Sequence, residues 1–140
     1  MNFEYLTFDD LIDLHDLALD RYGGLQGFDK GCVEAKVSMP QDGFGDFEYY
    51  PGLFKKAAVY MYFLTISHCF KDGNKRTGYL AASTFLNLNG YKIIVSNDEL
   101  FNKCIEIADK NTRPSFDDVE IWLKKFSEVF DYENDITIDI

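Results

Sequence analysis

An all-α helical bundle carrying one irregular flap is the fold this sequence predicts. Six stretches bear apolar residues at helical spacing, and two of them are apolar on more than one face. The extended candidates are short, a run at 91–95 and the last residues of the chain. A chain of 140 residues fits a single domain, and at that length folding hides roughly two thirds of the surface an unfolded chain exposes. We read residues 1–130 as the domain and 131–140 as a C-terminal tail.

Thr7 with Asp10 forms a helix start, because the hydroxyl can accept an early backbone N–H while the acid favours the positive end of the helix dipole. Leu11, Leu14, Leu17 and Ala18 follow at helical spacing, and Gly23-Gly24 stops the helix, so the first runs over 8–22. His15 reads as surface-facing and without a chemical role. A short helix over 29–37 carries Val33 and Val37 and ends before Met39-Pro40. Residues 40–52 mix Gly, Asp and aromatics, which suits a loop or loose hairpin, either a mobile flap or a surface loop pinned by its own aromatics.

Residues 53–67 are apolar all round, as in a central buried helix. A second central helix starts near Asn74, passes through Leu80, Ala81, Ala82, Phe85, Leu86 and Leu88, and stops at Asn89-Gly90. Residues 91–95 form a short strand or extended link. Asn97 or Asp98 can cap a helix through Ala108, and Ser115 can cap another over 116–130 bearing Val119, Ile121, Trp122, Leu123 and Phe126. The tail alternates Ile136, Ile138 and Ile140 with polar residues, so it is either a strand, an edge offered to a partner, or disordered.

A formal charge of −10 excludes a duplex-binding module, which needs clustered cations, and favours a basic partner. It leaves nucleotides open, since a few local cations and backbone N–H groups hold a triphosphate whatever the net charge. No apolar run is long enough to span a bilayer and no secretory start is present, so the expected location is cytoplasmic, away from membranes. Cys32, Cys69 and Cys104 are odd in number and far apart, which fits reduced thiols better than a disulfide scaffold.

The chemistry concentrates in residues 68–77, His-Cys-Phe-Lys-Asp-Gly-Asn-Lys-Arg-Thr. His68 ends one buried helix, and Gly73-Asn74 opens the next with Lys75 and Arg76 in its first turn. A helix N-terminus presents unpaired N–H groups that bind phosphate, and a preceding Gly lets the backbone come close. Two cations there oppose the helix dipole and cost a few tenths of a kcal/mol unless an anion is bound. Asp72 can give one oxygen to Mg²⁺, which takes only one or two carboxylates and fills its shell with water and phosphate. Histidine as a residue type titrates near neutrality, so His68 can accept a proton from an attacking hydroxyl. Base, metal ligand, anion cradle and countercharge are the parts for phosphoryl or nucleotidyl transfer.

The ordered run His68-x-Phe70-x-Asp72-Gly73-Asn74-Lys75-Arg76-Thr77 resembles the signature of the Fic/Doc superfamily, in its Doc (death-on-curing) branch. The likeness extends over residues 5–126 through Tyr22-Gly23-Gly24, Gly27, Asp29, Pro40, Tyr50-Pro51, Lys56-Ala57-Ala58, Asn89-Gly90 and Trp122-Leu123. It implies a helical Fic fold with the motif loop between two central helices and a hairpin flap at 40–52 that aligns a target polypeptide by strand-like pairing. It further implies His68 as catalytic base, Arg76 as a catalytic cation, Phe70 as the loop's core anchor and Asp72 as the Mg²⁺-linked acid. Gly73, Asn74, Lys75, Arg76 and Thr77 would bind the nucleotide phosphates.

Relatives that transfer AMP carry Gly where this chain has Lys75, and usually a further Arg where it has Tyr79. The departure implies ATP bound in the reverse sense and transfer of its terminal phosphate to a Ser or Thr hydroxyl of a protein, such as one of the translation machinery. The alternatives are adenylylation by the same residues and an idle binding module that keeps the fold. No Ser or Thr stands four residues before a Glu, so the built-in inhibitory helix of many relatives is missing. The resemblance therefore implies the toxin of a toxin–antitoxin pair, restrained by a separate protein that docks through a short helix. Cys69 reads as packing and not as a nucleophile.

Overall fold

The computed structural model describes residues 2–131. Its helices are α1 (Phe8–Tyr22), α2 (Lys30–Ser38), α3 (Leu53–Ile66), α4 (Asn74–Leu88), α5 (Asn97–Ala108) and α6 (Phe116–Lys125). Two small antiparallel pairs accompany them: β1 (Gly43–Phe44) with β2 (Phe47–Glu48), and β3 (Tyr91–Ile93) with β4 (Ser127–Val129). The alternating tail, all but Asp131, lies outside the described residues.

The local signals act as their chemistry requires. Thr7 and Asp10 form the reciprocal capping box at the start of α1, and Gly23, at φ 78°, closes it. Asp29, Ser96 and Ser115 cap α2, α5 and α6 through their side chains. The cap of α5 is Ser96, one residue before the pair expected, because its hydroxyl reaches the Glu99 N–H at 3.2 Å from an extended backbone.

The core forms where α3 meets α4. Ala57, Ala58, Tyr60, Met61 and Leu64 of α3 are buried against Tyr79, Ala81, Ala82, Phe85 and Leu86 of α4. Gly78 lies at the crossing: a Cβ there would sit 2.6 Å from Thr65 Oγ1 and 3.1 Å from the Met61 carbonyl. The two backbones approach that closely only because position 78 lacks a side chain. Around this pair, α1 and α5 cover α4, and α6 covers α3. Leu11 and Ala18 of α1, Val33 of α2, Leu100, Cys104 and Ile107 of α5, and Val119 and Leu123 of α6 are the buried apolar contributions of the outer helices.

The expected helix over 116–130 ends at Lys125 instead. Phe126 leaves helical geometry (φ −104°, ψ 25°), its carbonyl accepts the Ile94 N–H at 2.8 Å, and Ser127–Val129 pair with β3. Strand β3 would otherwise present unpaired backbone groups, and the chain after α6 supplies their partners. No Gly or Pro marks that stop.

The flap is a hairpin following a 3₁₀ turn at Met39–Gln41. Gly43 is obligatory in it, since a Cβ would fall 2.1 Å from the Phe47 carbonyl oxygen. Of its aromatics, Tyr50 packs against Phe63 and Phe116, while Phe44, Phe47 and Tyr49 stand in solvent. The pin is a cation. Lys56 of α3 is buried, and its Nζ donates to the Pro40 carbonyl and to Glu48 Oε1, each at 2.8 Å. Burying an ammonium is unfavourable unless it is paired and hydrogen-bonded, and the flap provides both partners.

The reading of the cysteines as free thiols is corrected. Packing of α2 beside the end of α3 brings Cys32 and Cys69 to a Cα–Cα distance of 5.3 Å, and they form a disulfide across 37 residues. Distance along the chain does not limit such a pair. Cys104 stays free and buried. Among the described residues no helix is long and apolar enough to cross a membrane.

Two outcomes follow from these contacts. Alkylation of the unfolded, unreduced chain should modify one cysteine, and after reduction three; three labels without reductant would remove the Cys32–Cys69 bond. The Lys56 ammonium, by hydrogen bond and charge, holds the Glu48 carboxyl below its ordinary range. A lowered folded-state value means that the pair's contribution is complete above the unfolded glutamate value of about 4.3 and is lost as pH falls through the folded value. An NMR titration should find Glu48 ionising below that value, and Lys56→Met should return it there.

Candidate functional site

The site is built on the seven residues that join α3 to α4. Ser67 ends α3, and His68 takes up φ 53°, the only left-handed conformation of a non-glycine residue in the described chain. Such a backbone costs of the order of 1–3 kcal/mol and persists only where its surroundings impose it. Here they do. The Cys69 carbonyl accepts the Asp29 N–H at 2.8 Å, Lys71 N–H donates to the Gly27 carbonyl at 2.9 Å, and Phe28 bridges Phe70. The segment after α1 is thus laid along the loop as a partial strand partner. Cys69 is further tied to α2 by the disulfide.

Inside the loop, Asn74 turns its side chain back: Oδ1 accepts the Phe70 N–H at 3.1 Å and Nδ2 donates to the Phe70 carbonyl at 2.8 Å. Asn74 therefore offers an anion its backbone N–H, while its amide staples the loop. Phe70 is buried as the resemblance implies, between the ring of Phe28 and that of His15. The His15 and Phe70 rings are stacked at 4.0 Å.

His15 overturns the reading of it as a surface residue. It is buried in α1 with Leu11 and Ala18, and its Nε2 donates to the Asp72 carbonyl at 2.8 Å. A carbonyl only accepts, so the imidazole holds its proton on Nε2. The reason was visible in its spacing, four residues after Leu11 and three before Ala18, on the inward stripe of α1.

Asp72 extends outward from this point. Its Oδ2 accepts the Leu25 N–H at 2.7 Å, which fixes the carboxylate beside the start of α4. Among the described residues no group of three or more His, Cys, Asp or Glu could cage a metal. A single oriented carboxylate nevertheless fits Mg²⁺ that arrives with phosphates and water.

Gly73 is left-handed (φ 82°, ψ 17°) and starts α4 without a side-chain cap and without an acid in the first turn. The first helical bond is from Thr77 N–H to the Gly73 carbonyl at 2.9 Å. The N–H groups before it are the ones a helix leaves without intrahelical partners. Lys75 and Arg76 are partly exposed in this turn. The Arg76 guanidinium lies 3.7 Å from the ring centres of both Tyr22 and Phe101, and its Nη1 donates to the Tyr79 hydroxyl at 3.0 Å. His68 is exposed at the other end of the loop.

Thr77 does not join them. It is wholly buried, with its hydroxyl in the core and its N–H already bonded, so it offers phosphate nothing in this conformation. A helix turns 100° per residue, and the face that shows position 76 hides position 77. Cys69 is spent in the disulfide, and burial pushes the Cys104 thiol up to about 12, so neither is a nucleophile.

Residues 5–86 match the Fic/DOC family. Two relatives are similar to the chain over about two thirds of its length. A protein named Toxin Doc, of Mycolicibacterium smegmatis, is 37% identical over 95 residues, 68% of this chain and 72% of its own length. A protein named Protein kinase doc, of Escherichia phage P1, is 37% identical over 93 residues, 66% of this chain and 73% of its own.

Replacing His15 by Leu keeps the site filled but leaves the Asp72 carbonyl without its donor, at a cost of about 1–3 kcal/mol. Urea unfolding should show that loss. A His15→Leu chain as stable as the parent would mean that the loop does not depend on this bond.

Proposed function

Because the chain belongs to the Fic/DOC family, we propose that it transfers the terminal phosphate of ATP to a Ser or Thr hydroxyl of a target protein, and that a separate antitoxin restrains it. The observation that carries this reading is the start of α4, a helix N-terminus with no side-chain cap, no acid, and two cations in its first turn. That end of the helix is complementary to an anion and to little else.

In this reading the N–H groups of Asn74, Lys75 and Arg76 and the two cationic side chains bind the phosphate chain. Asp72 would hold Mg²⁺, which would supply positive charge to the phosphates. His68 accepts the proton of the target hydroxyl while that oxygen bonds to the terminal phosphorus, the bond from phosphorus to the bridging oxygen breaks, and ADP leaves. The proton then passes from His68 to solvent. The exposure of His68 suits a base that must meet another protein, and its rigid loop suits a base that must not wander.

Lys75 and Tyr79 favour phosphoryl over adenylyl transfer, since they stand where the resemblance implies Gly and Arg in AMP-transferring relatives. The relative named a protein kinase agrees with that choice. The antitoxin rests on the relative named a toxin and on the missing Ser/Thr-x-x-x-Glu sequence. A net charge of −10 suits a basic target such as a component of the translation machinery, in the cytoplasm. Cytosolic reductants oppose the Cys32–Cys69 bond; burial shields the Cys69 sulfur, while Cys32 is partly exposed to attacking thiolates.

Incubation of the chain with Mg²⁺, host lysate and ATP labelled at either the γ or the α phosphorus separates the readings. Label from the γ position alone, abolished by His68→Ala, is expected. Label from the α position would replace phosphorylation by adenylylation, and no label from either would favour an idle binding module.

A further inference from the structure

Arg76 is the one cation of the motif whose position the rest of the fold determines. Its guanidinium carbon lies 3.7 Å from the ring centre of Tyr22, the last residue of α1, and at the same distance from that of Phe101 of α5. The third contact, Nη1 to the Tyr79 hydroxyl, comes from its own helix. Among the described residues no carboxylate pairs with it. An arginine held by rings keeps its charge, whereas one held by an acid has spent it.

We infer that Tyr22 and Phe101 are positioning residues that hold Arg76 ready for a phosphate chain, so that binding does not have to order a long, mobile side chain. The inference rests on the proposed function only in taking a phosphate chain as the ligand; it holds for phosphoryl or adenylyl transfer alike. Rings that cover the guanidinium leave its N–H edge, and guanidinium hydrogen bonds to phosphate lie in that plane. With one Nη1–H directed to Tyr79, the remaining donors define the direction from which phosphate is met.

Tyr79 is suited to its part because burial pushes its phenol up to about 12, against the opposing pull of Arg76. A phenol is neutral near pH 7 in any case, so Tyr79 accepts from the guanidinium without neutralising it. A lysine at position 76 could make the charge but not the flat double stack. The clamp joins three helices, so it also explains why a phosphate site made largely from one loop needs the end of α1 and the middle of α5.

The test is binding, measured by calorimetry with MgATP and separately with inorganic tripolyphosphate, on the full chain carrying His68→Ala to prevent turnover. Phe101→Leu and Tyr22→Leu should each weaken both ligands about tenfold, equivalent to about 1.4 kcal/mol, while Phe101→Tyr, which keeps the ring, should bind as the parent does. In an Arg76→Gln background the same leucine substitutions should have no further effect. A merely structural role would not produce that dependence on Arg76.

A direct readout is independent of any ligand: the Arg76 Nε–H resonance should be displaced by the two ring currents and return toward the free arginine position in Phe101→Leu. Equal affinity of the parent and the leucine variants overturns the inference, and so does a loss that persists in the Arg76→Gln background. Absence of binding of either ligand to the parent overturns it as well. If instead binding behaves as expected while the labelling experiment finds no γ transfer, the clamp stands and the kinase reading falls.

Discussion

The two central helices touch backbone to backbone at Gly78, and the geometry of the site follows from that contact. With a side chain at position 78, either the Thr65 hydroxyl would have to turn aside or α4 would have to move away from it and from the Met61 carbonyl. Because neither happens, the end of α3 and the beginning of α4 are set at a fixed separation, and the connecting loop must turn tightly enough to span it. A left-handed His68 and a left-handed Gly73 mark the two ends of that turn. Close packing allows no gradual adjustment here, since interiors at crystal-like density shift as units. The arrangement of the candidate site is in this sense a property of the helix pair.

Within the loop the hydrogen bonds divide into two kinds. Backbone groups are satisfied by protein: Phe70 by Asn74, Asp72 by His15, Cys69 and Lys71 by the strand-like segment at 27–29. Charges are left for others. Among the described residues no carboxylate pairs with Lys75 or Arg76, and the start of α4 has no side-chain cap. Spending the neutral bonds on rigidity while leaving the charged groups uncommitted is how a site stabilises developing negative charge without rearranging when it appears.

Much of this was legible because helix signals are local. The Thr7–Asp10 pair and the Gly stop delimit α1 within its own sequence, and the uniform apolarity of 53–67 identifies a central helix without knowledge of its neighbours. The motif itself is contiguous, so its residues arrive together at one bend. What could not be read depended on pairs distant in sequence. The end of α6 is decided by the hydrogen-bonding need of β3, over thirty residues earlier, and not by any breaker in 126–130. The Cys32–Cys69 bond and the rings over Arg76 join elements whose adjacency only the packed bundle establishes. His15 is a different failure: the inward stripe contained it, but a polar residue on such a stripe was read as an outward one.

The bond from Cys32 to Cys69 encloses the whole of the flap and α3 in a covalent ring. The exposed hairpin, with Phe44 and Phe47 in solvent, is the kind of tip that proteases cleave first. A cut there would open the hairpin but leave the two fragments joined at the base of the motif loop, with α4 still tied to α2. The chain is thus closed at the point where its chemistry is set, and severing its most accessible turn would not by itself release the half that carries His68 from the half that carries Tyr22.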